Sequence, residues 1–469
     1  MKVSAVHPDP GSFRDPAGQV FIAEDRVYRT VSPDSLADVE RVLAAGVLKR
    51  LAADGRMVAT EVSSDSAIAA FLRGAGEREI ARVLSHPRLT PVTYPYEWSF
   101  EGLKSAALAH LQLQLDLLDQ GFTLSDASAF NMQFDGPRPI HIDVLSIVTY
   151  NDGDRWLGYG QFMREFFNPL VLEAETGVSF APWYRGALGG ITNDELTRLL
   201  PKIRWLRPAY LMHIVLPALY DRRATRADRG ARAKLLPLPK ARLRNLLSHL
   251  HHTISALRSP RNRTTPWLDY AAANTYAGAE RDAKRRGVAA FVAAVRPQML
   301  LDIGCNTGEY AAVALEAGAR RVIGLESDRA ALDAAFRRAA DERLAFLPLA
   351  VDLVNPSPAQ GWRGKERGAF VDRLSADALL ALAVLHHVVI RNNIPLADAV
   401  RLLVSLAPRG LIEFVPKSDP QVERLLRYRR DIFVDYDVAN FRALLERDAN
   451  VVEKTRLTDS GRTLFRYER

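Results

Sequence analysis

The sequence predicts an α/β protein in two parts: a doubly wound, parallel-sheet domain over 267–469, preceded over 1–262 by an α+β domain of two lobes. Two patterns carry this. After about residue 267, strand-length apolar runs alternate with amphipathic helices, as parallel strands joined by crossovers require. Before it, short strand signals fill roughly 1–98 and a mostly helical block occupies 99–255. The polar, proline-flanked stretch 257–266 between them has a linker's composition.

Bulk properties bound the function. At 469 residues, 48% hydrophobic and 25% charged, the chain has room for two or three cores. No apolar run approaches the length of a membrane span, and the first residues lack the apolar centre of a secretory signal, so the reading is a cytoplasmic protein. A single cysteine, Cys305, excludes an internal disulfide framework and a cysteine-based zinc site. The net charge of +8 is uneven, with 12 Lys/Arg against 2 Asp in 221–263. That stretch is either a solvated pair of basic helices with a linker or a contact for phosphate, an acidic polymer or anionic lipid. No aromatic residues interleave with its arginines, which argues against a single-stranded nucleic acid partner.

In the C-terminal part, 298–302 reads as a short strand ending on Asp302. The small-residue turn Gly304-Cys305-Asn306-Thr307-Gly308 follows, then a helix over 310–317. Such a turn lets the backbone approach a ligand closely, and the helix start adds unpaired N–H groups. A second strand, 321–325, ends on Glu326, a carboxylate able to accept two hydrogen bonds from a ribose diol. A third run, 344–351, ends on Asp352, placed to accept an adenine amine. Three acids at one sheet edge suit a nucleoside. A nicotinamide dinucleotide wants glycine at the first, third and sixth positions of the turn, where this chain has Gly304, Asn306 and Glu309. Asn306 tolerates a left-handed backbone, whereas Glu309 would repel a pyrophosphate.

The run 301–309 resembles motif I of class I S-adenosylmethionine-dependent methyltransferases, in the variant with Asn for the middle glycine. Stretches 352–362, 385–388, 392–396 and 413–420 are similar to a bacterial subgroup of nodulation-protein-like methyltransferases, and the similarity extends into the N-terminal half. The resemblance implies a Rossmann-like class I fold and S-adenosylmethionine as donor; it implies no particular acceptor. Asp302, Gly304, Asn306, Gly308, Glu326 and Asp352 are the expected donor-binding residues. A fourth strand, 378–385, is expected to deliver His386 and His387 to the edge where the methyl group points, either with one as a general base or with both packed on the adenine or hydrogen-bonded to the backbone. Glu413 and Lys417 are expected either to bind the acceptor or to pair with each other.

The N-terminal part carries a second constellation. Asp126 is followed five residues on by Asn131, and twelve further by Asp143 at the end of an apolar run. This order resembles protein kinases and their small-molecule relatives, in which the first acid serves the acceptor hydroxyl and the Asn and second acid hold magnesium against ATP phosphates. An amphipathic helix over 99–120, closed by Gly121, precedes the acidic loop, and a hairpin turning at Asp135-Gly136 follows it. Strands over 19–23 and 26–31, a helix over 35–48 and a connecting segment 92–98 complete a small lobe, in which Arg29 is expected to replace the phosphate-binding lysine with Glu40 as its partner. A glycine-rich loop and a strand lysine are missing. The expected protein is thus a methyltransferase whose kinase-like domain binds or modifies a small-molecule, glycan or lipid-linked acceptor. Its rivals are a phosphotransferase that senses S-adenosylmethionine, and a catalytically silent scaffold.

Overall fold

A computed structural model describes residues 6–75, 78–224, 237–260, 278–457 and 461–469. In the small lobe, β1 (His7–Pro8), β2 (Val20–Ile22), β3 (Arg26–Val31), β4 (Glu61–Val62) and β5 (Arg82–Pro87) form an antiparallel sheet in the order β1-β2-β3-β5-β4. The expected hairpin is present, with Val20 opposite Arg29. The single helix expected over 35–48 is instead two, Pro33–Ala44 and Val47–Ala53, because Gly46 between them turns left-handed at φ +66° and ends the first.

The helix Phe100–Asp119 is the spine of the second lobe. Ser99 caps it, its Oγ accepting from the Gly102 N–H at 2.9 Å, and Gly121 follows at φ +82°. Leu103, Ala107, Leu111, Leu115 and Leu118 are buried at the expected spacing. Beyond it, β6 (Phe122–Leu124) returns to pair with β9 (Ile147–Thr149), enclosing the hairpin of β7 (Met132–Asp135) and β8 (Arg138–His141).

The C-terminal half is built on a sheet of β10 (Leu300–Ile303), β11 (Val322–Glu326), β12 (Phe346–Ala350), β13 (Ala378–Ala381), β14 (Arg409–Phe414), β15 (Asn450–Arg456) and β16 (Thr463–Glu468). The order is β12-β11-β10-β13-β14-β16-β15, with β16 alone reversed and pairing antiparallel with both β14 and β15. Every residue of β10 and β13 is buried, as central strands covered by helices on both faces must be. This is the Rossmann-like α/β architecture expected from the motif. The fourth strand is shorter than the expected 378–385: it stops at Ala381, and Ala383 takes a left-handed φ of +53°.

The two halves are packed together. Phe336, on the helix Arg329–Asp341, meets the Phe134 ring edge-on at 5.9 Å, and Phe134 meets Trp98 at 5.0 Å. Around them, the Glu101 N–H donates to Asp333 at 3.1 Å, Arg337 pairs with Glu101 at 3.3 Å and Arg321 with Asp135 at 3.0 Å. The expected linker is not a loose tether where it is described: Lys104 donates to the Leu257 carbonyl at 2.9 Å, and buried Ser259 donates to Glu173 at 3.2 Å. Residues 261–266 lie outside the described residues, as does the 225–236 portion of the basic stretch. Among the described residues no helix is long and apolar enough to cross a membrane.

Because the Phe336 ring is shared by both halves, Phe336→Ala is expected to lower unfolding free energy by about 3–5 kcal/mol. Scanning calorimetry should show the whole transition moving down; a shift confined to one of two separate transitions would contradict a shared core.

Candidate functional site

At the carboxyl edge of the central strands, the turn after β10 adopts the geometry its sequence implies. Gly304, Asn306 and Gly308 all have left-handed backbones, at φ +71°, +49° and +78°, so Asn306 does stand in for a turn glycine. A Cβ at position 304 would come within 2.6 Å of the Val384 side chain, so the segment leading to His386 also demands glycine there. Asp302 is buried, and its Oδ2 has no hydrogen-bond partner among the described residues. Burial pushes its carboxyl up to about 7, opposed by the Lys284 charge and reinforced by Glu326.

Glu326 is more committed than the sequence suggests. Its Oε1 accepts the N–H groups of Ser327 and Asp328 at 2.7 and 2.8 Å, and Oε2 accepts that of Asn306 at 3.0 Å. With two lone pairs per oxygen, Oε2 retains room for one further donor where the diol reading called for two. Asp352 is exposed two residues past β12, with Oδ1 holding the Val354 N–H at 3.0 Å. Glu309 is neutralised by Arg281 at 2.8 Å and Arg285 at 3.1 Å, so the repulsion of a pyrophosphate expected from it is largely cancelled.

A buried charge cluster that sequence spacing did not reveal lies beside this edge. Lys284, on the helix Gly278–Val295, pairs with Glu413 of β14 at 2.6 Å. Glu413 also receives Arg462 at 3.2 Å, and Arg462 reaches Asp419 at 2.6 Å. All four are buried, which mutual pairing makes tolerable. The expected Glu413–Lys417 pair does not form, because Lys417 points to Asp431 at 2.8 Å.

His386 and His387 do reach this edge, but past the strand, at the start of the wide helical turn His387–Arg391. Their rings lie 4.1 Å apart. His386 is buried, and burial, followed by the charges of His387, Arg462 and Lys284, holds its imidazole far below the ordinary range. Burial and Arg391 bring His387 down to about 4. Both rings are therefore neutral at physiological pH, unlike the near-neutral titration expected of them, and only His387 keeps partial exposure.

The N-terminal constellation is brought together. The Asn131 amide donates to Asp126 at 3.1 Å and to Asp143 at 3.2 Å. Burial, and then the Asp143 charge, raise the Asp126 carboxyl. Glu165, which the sequence did not single out, organises the loop between them: its carboxylate accepts the Ser128 hydroxyl at 3.0 Å and the Ala129 N–H at 2.8 Å. Burial pushes Glu165 up to about 7. Arg29 does enter this site, but Glu40 is not its partner. Arg29 pairs with Asp143 at 2.6 Å and Asp15 at 2.5 Å, while Glu40 pairs with Arg82 at 2.7 Å. At Asp143 the guanidinium already supplies the positive charge that the kinase resemblance assigns to magnesium. Among the described residues, no group of three or more His, Cys, Asp or Glu side chains comes together to hold a metal ion.

Comparison with known proteins places the chain. Nodulation protein NoeA of Rhizobium meliloti (strain 1021) is 47% identical over 476 residues, an alignment covering 100% of this chain and 98% of that protein. The chain belongs to the NoeA family. No protein-family profile matches it. Among solved structures, magnesium protoporphyrin IX methyltransferase from Synechocystis PCC 6803 with bound SAM is 20% identical over 40% of this chain and 80% of that one, with a TM-score of 0.28. The N-methyltransferase NodS from Bradyrhizobium japonicum WM9 is 12% identical over 41% and 97%, with a TM-score of 0.31. The bifunctional kinase-methyltransferase WbdD is 14% identical over 44% and 42%, also at 0.31. At these TM-scores the likenesses add nothing to the fold already described for the NoeA-family chain.

The histidine pair yields a test. The unfolded state protonates these imidazoles near 6.5 whereas the folded state resists to about 4 at His387, so their contribution to stability is present above 6.5 and is lost as pH falls through that window. The His387 ring proton resonance, assigned by loss in His387→Gln, should not titrate between pH 6 and 8 by NMR; a midpoint near 6.5 would contradict the burial argument.

Proposed function

We propose that this chain is an S-adenosylmethionine-dependent methyltransferase, with the donor held at the carboxyl edge of β10, β11 and β12. The observation that carries the reading is Asp302: a buried carboxylate with an oxygen unpartnered among the described residues, beside a turn whose left-handed residues open the backbone to a ligand. A buried acceptor left without a donor is costly, and a ligand bearing a positive charge and N–H groups relieves that cost. The remaining capacity at Glu326 Oε2 and the exposed Asp352 suit one ribose hydroxyl and an adenine amine.

When bound, the donor supplies an electrophilic methyl group on a sulfonium. The chain's contribution is to align the acceptor with that methyl group and keep water out, the main source of rate in an in-line displacement. His387 is the ring of the pair placed to meet an acceptor, and its depressed basicity suits a hydrogen-bond acceptor better than a base for an unactivated hydroxyl. His386 supports it from the core. The N-terminal domain is read as a kinase-like module that binds the acceptor, a small molecule, glycan or lipid-linked sugar. The Arg29–Asp143 ion pair favours this role over magnesium-dependent phosphoryl transfer, because a cation between Asn131 and Asp143 must compete with the guanidinium.

Titration calorimetry tests the reading. S-adenosylmethionine should bind the full chain, and Asp302→Asn should weaken it roughly 10- to 100-fold, the loss of a hydrogen bond to a charged group. The ionised carboxylate is the binding form, so wild-type affinity should fall as pH drops through about 7, and the variant's should not. Absence of binding at millimolar donor would overturn the proposal.

A further inference from the structure

Three consecutive residues of the C-terminal half reach across the opening between the two N-terminal lobes. They belong to the segment 355–373, which lies between β12 and β13. Glu366 pairs with Arg14 of the small lobe at 2.9 Å. The Arg367 guanidinium lies over the Phe130 ring of the helical lobe, 4.4 Å from its centre. The Gly368 N–H donates at 3.1 Å to the hydroxyl of Tyr94, in the segment that joins the lobes. One tripeptide therefore touches the small lobe, the helical lobe and their connection. Gly11 lets it sit close, since a Cβ there would lie 2.7 Å from the Glu366 carbonyl oxygen.

Both rims of that opening border the N-terminal cluster. Arg14 adjoins Asp15, the partner of Arg29, and Phe130 adjoins Asn131. The segment is not equally firm along its length. At its base, Ser357 and Arg373 both meet the buried Glu97 carboxylate, and little of the Arg373 side chain reaches solvent. At its tip, the Arg14 side chain is 63% exposed. Water screens such a pair, and a single cation–ring contact beside it adds only modestly. A firm base and a weakly held tip are the properties of a strap that lifts at one end.

We propose that 355–373 is such a strap, holding the lobes together across Asp126, Asn131 and Asp143 and gating the entry of a ligand to that cluster. The gating role rests on the reading of the N-terminal domain as the acceptor-binding module. The strap itself rests on the contacts alone, and its test needs no acceptor.

Thiol labelling of the full chain tests the inference, with the buried Cys305 as an internal report of unfolding. In Asn131→Cys the introduced thiol should react slowly with a polyethylene glycol maleimide, because reagent reaches it only when the strap lifts. Adding Glu366→Ala and Arg367→Ala should speed that reaction roughly tenfold or more, as labelling follows the population of the open form. Cys305 should stay unreactive throughout. Arg14→Ala, a change at an exposed position, should speed the reaction by a smaller factor without altering the circular dichroism melt. Two results would overturn the proposal: equal labelling rates with and without the strap contacts, or an acceleration that Cys305 shares, which would mark general loosening. Failure of the acceptor reading would leave these rates unchanged, so the two are told apart.

Discussion

The carboxylate of Glu97 is buried in the seam between the two halves, where a lone charge would be intolerable. It is stabilised by the Tyr94 N–H at 2.9 Å, the Ser357 hydroxyl and the Arg373 guanidinium. Arg373 in turn lies over the Tyr94 ring at 4.1 Å, and the Tyr94 hydroxyl accepts the Gly368 N–H at 3.1 Å. One carboxylate thereby clamps the segment joining the two N-terminal lobes to the segment that leaves Asp352. The edge proposed to hold the donor and the N-terminal cluster are consequently parts of one packed body, with Phe134 and Phe336 as its apolar counterpart.

Both polar sites follow a common electrostatic rule: cations that enter the interior are given carboxylate partners there. Arg29 is matched by Asp15 and Asp143; Lys284 and Arg462 are matched by Glu413 and Asp419. Such networks fix geometry more than they add stability, because desolvation offsets much of the attraction. Against that background Asp302 stands apart. It is buried near the second network, yet among the described residues nothing donates a hydrogen bond to its Oδ2. An unsatisfied buried acceptor beside a strand-to-helix turn suits ligand recognition better than structural support.

Much of this was legible along the chain. The turn 304–308, the helix read over 99–120 with its Gly121 stop and the β7–β8 hairpin follow from patterns spanning at most about twenty residues, and the convergence of Asp126, Asn131 and Asp143 follows from their kinase-like order. Less legible was how each site is finished. Asp15 and Glu165 sit in segments without a local signal of function, and Lys284 reads as one more cation in a charged helix. The end of β13 was misread because apolar residues continue through Leu385, while the backbone turns at Ala383 to carry His386 past the strand.

The sequence by itself therefore determined the α/β class of the C-terminal half and the left-handed Asn306, since steric rules and hydrophobic periodicity act between near neighbours, while the grouping of the N-terminal triad was implied by its resemblance to the kinase order. Only the tertiary structure decided that Arg29 pairs with Asp143 rather than with Glu40, that Glu413 takes Lys284 and Arg462 rather than Lys417, and that both histidines are held neutral. The physical reason is that any Arg or Lys will pair with any carboxylate it meets. Which ones meet, and how far from water, is fixed by packing between segments far apart in the chain.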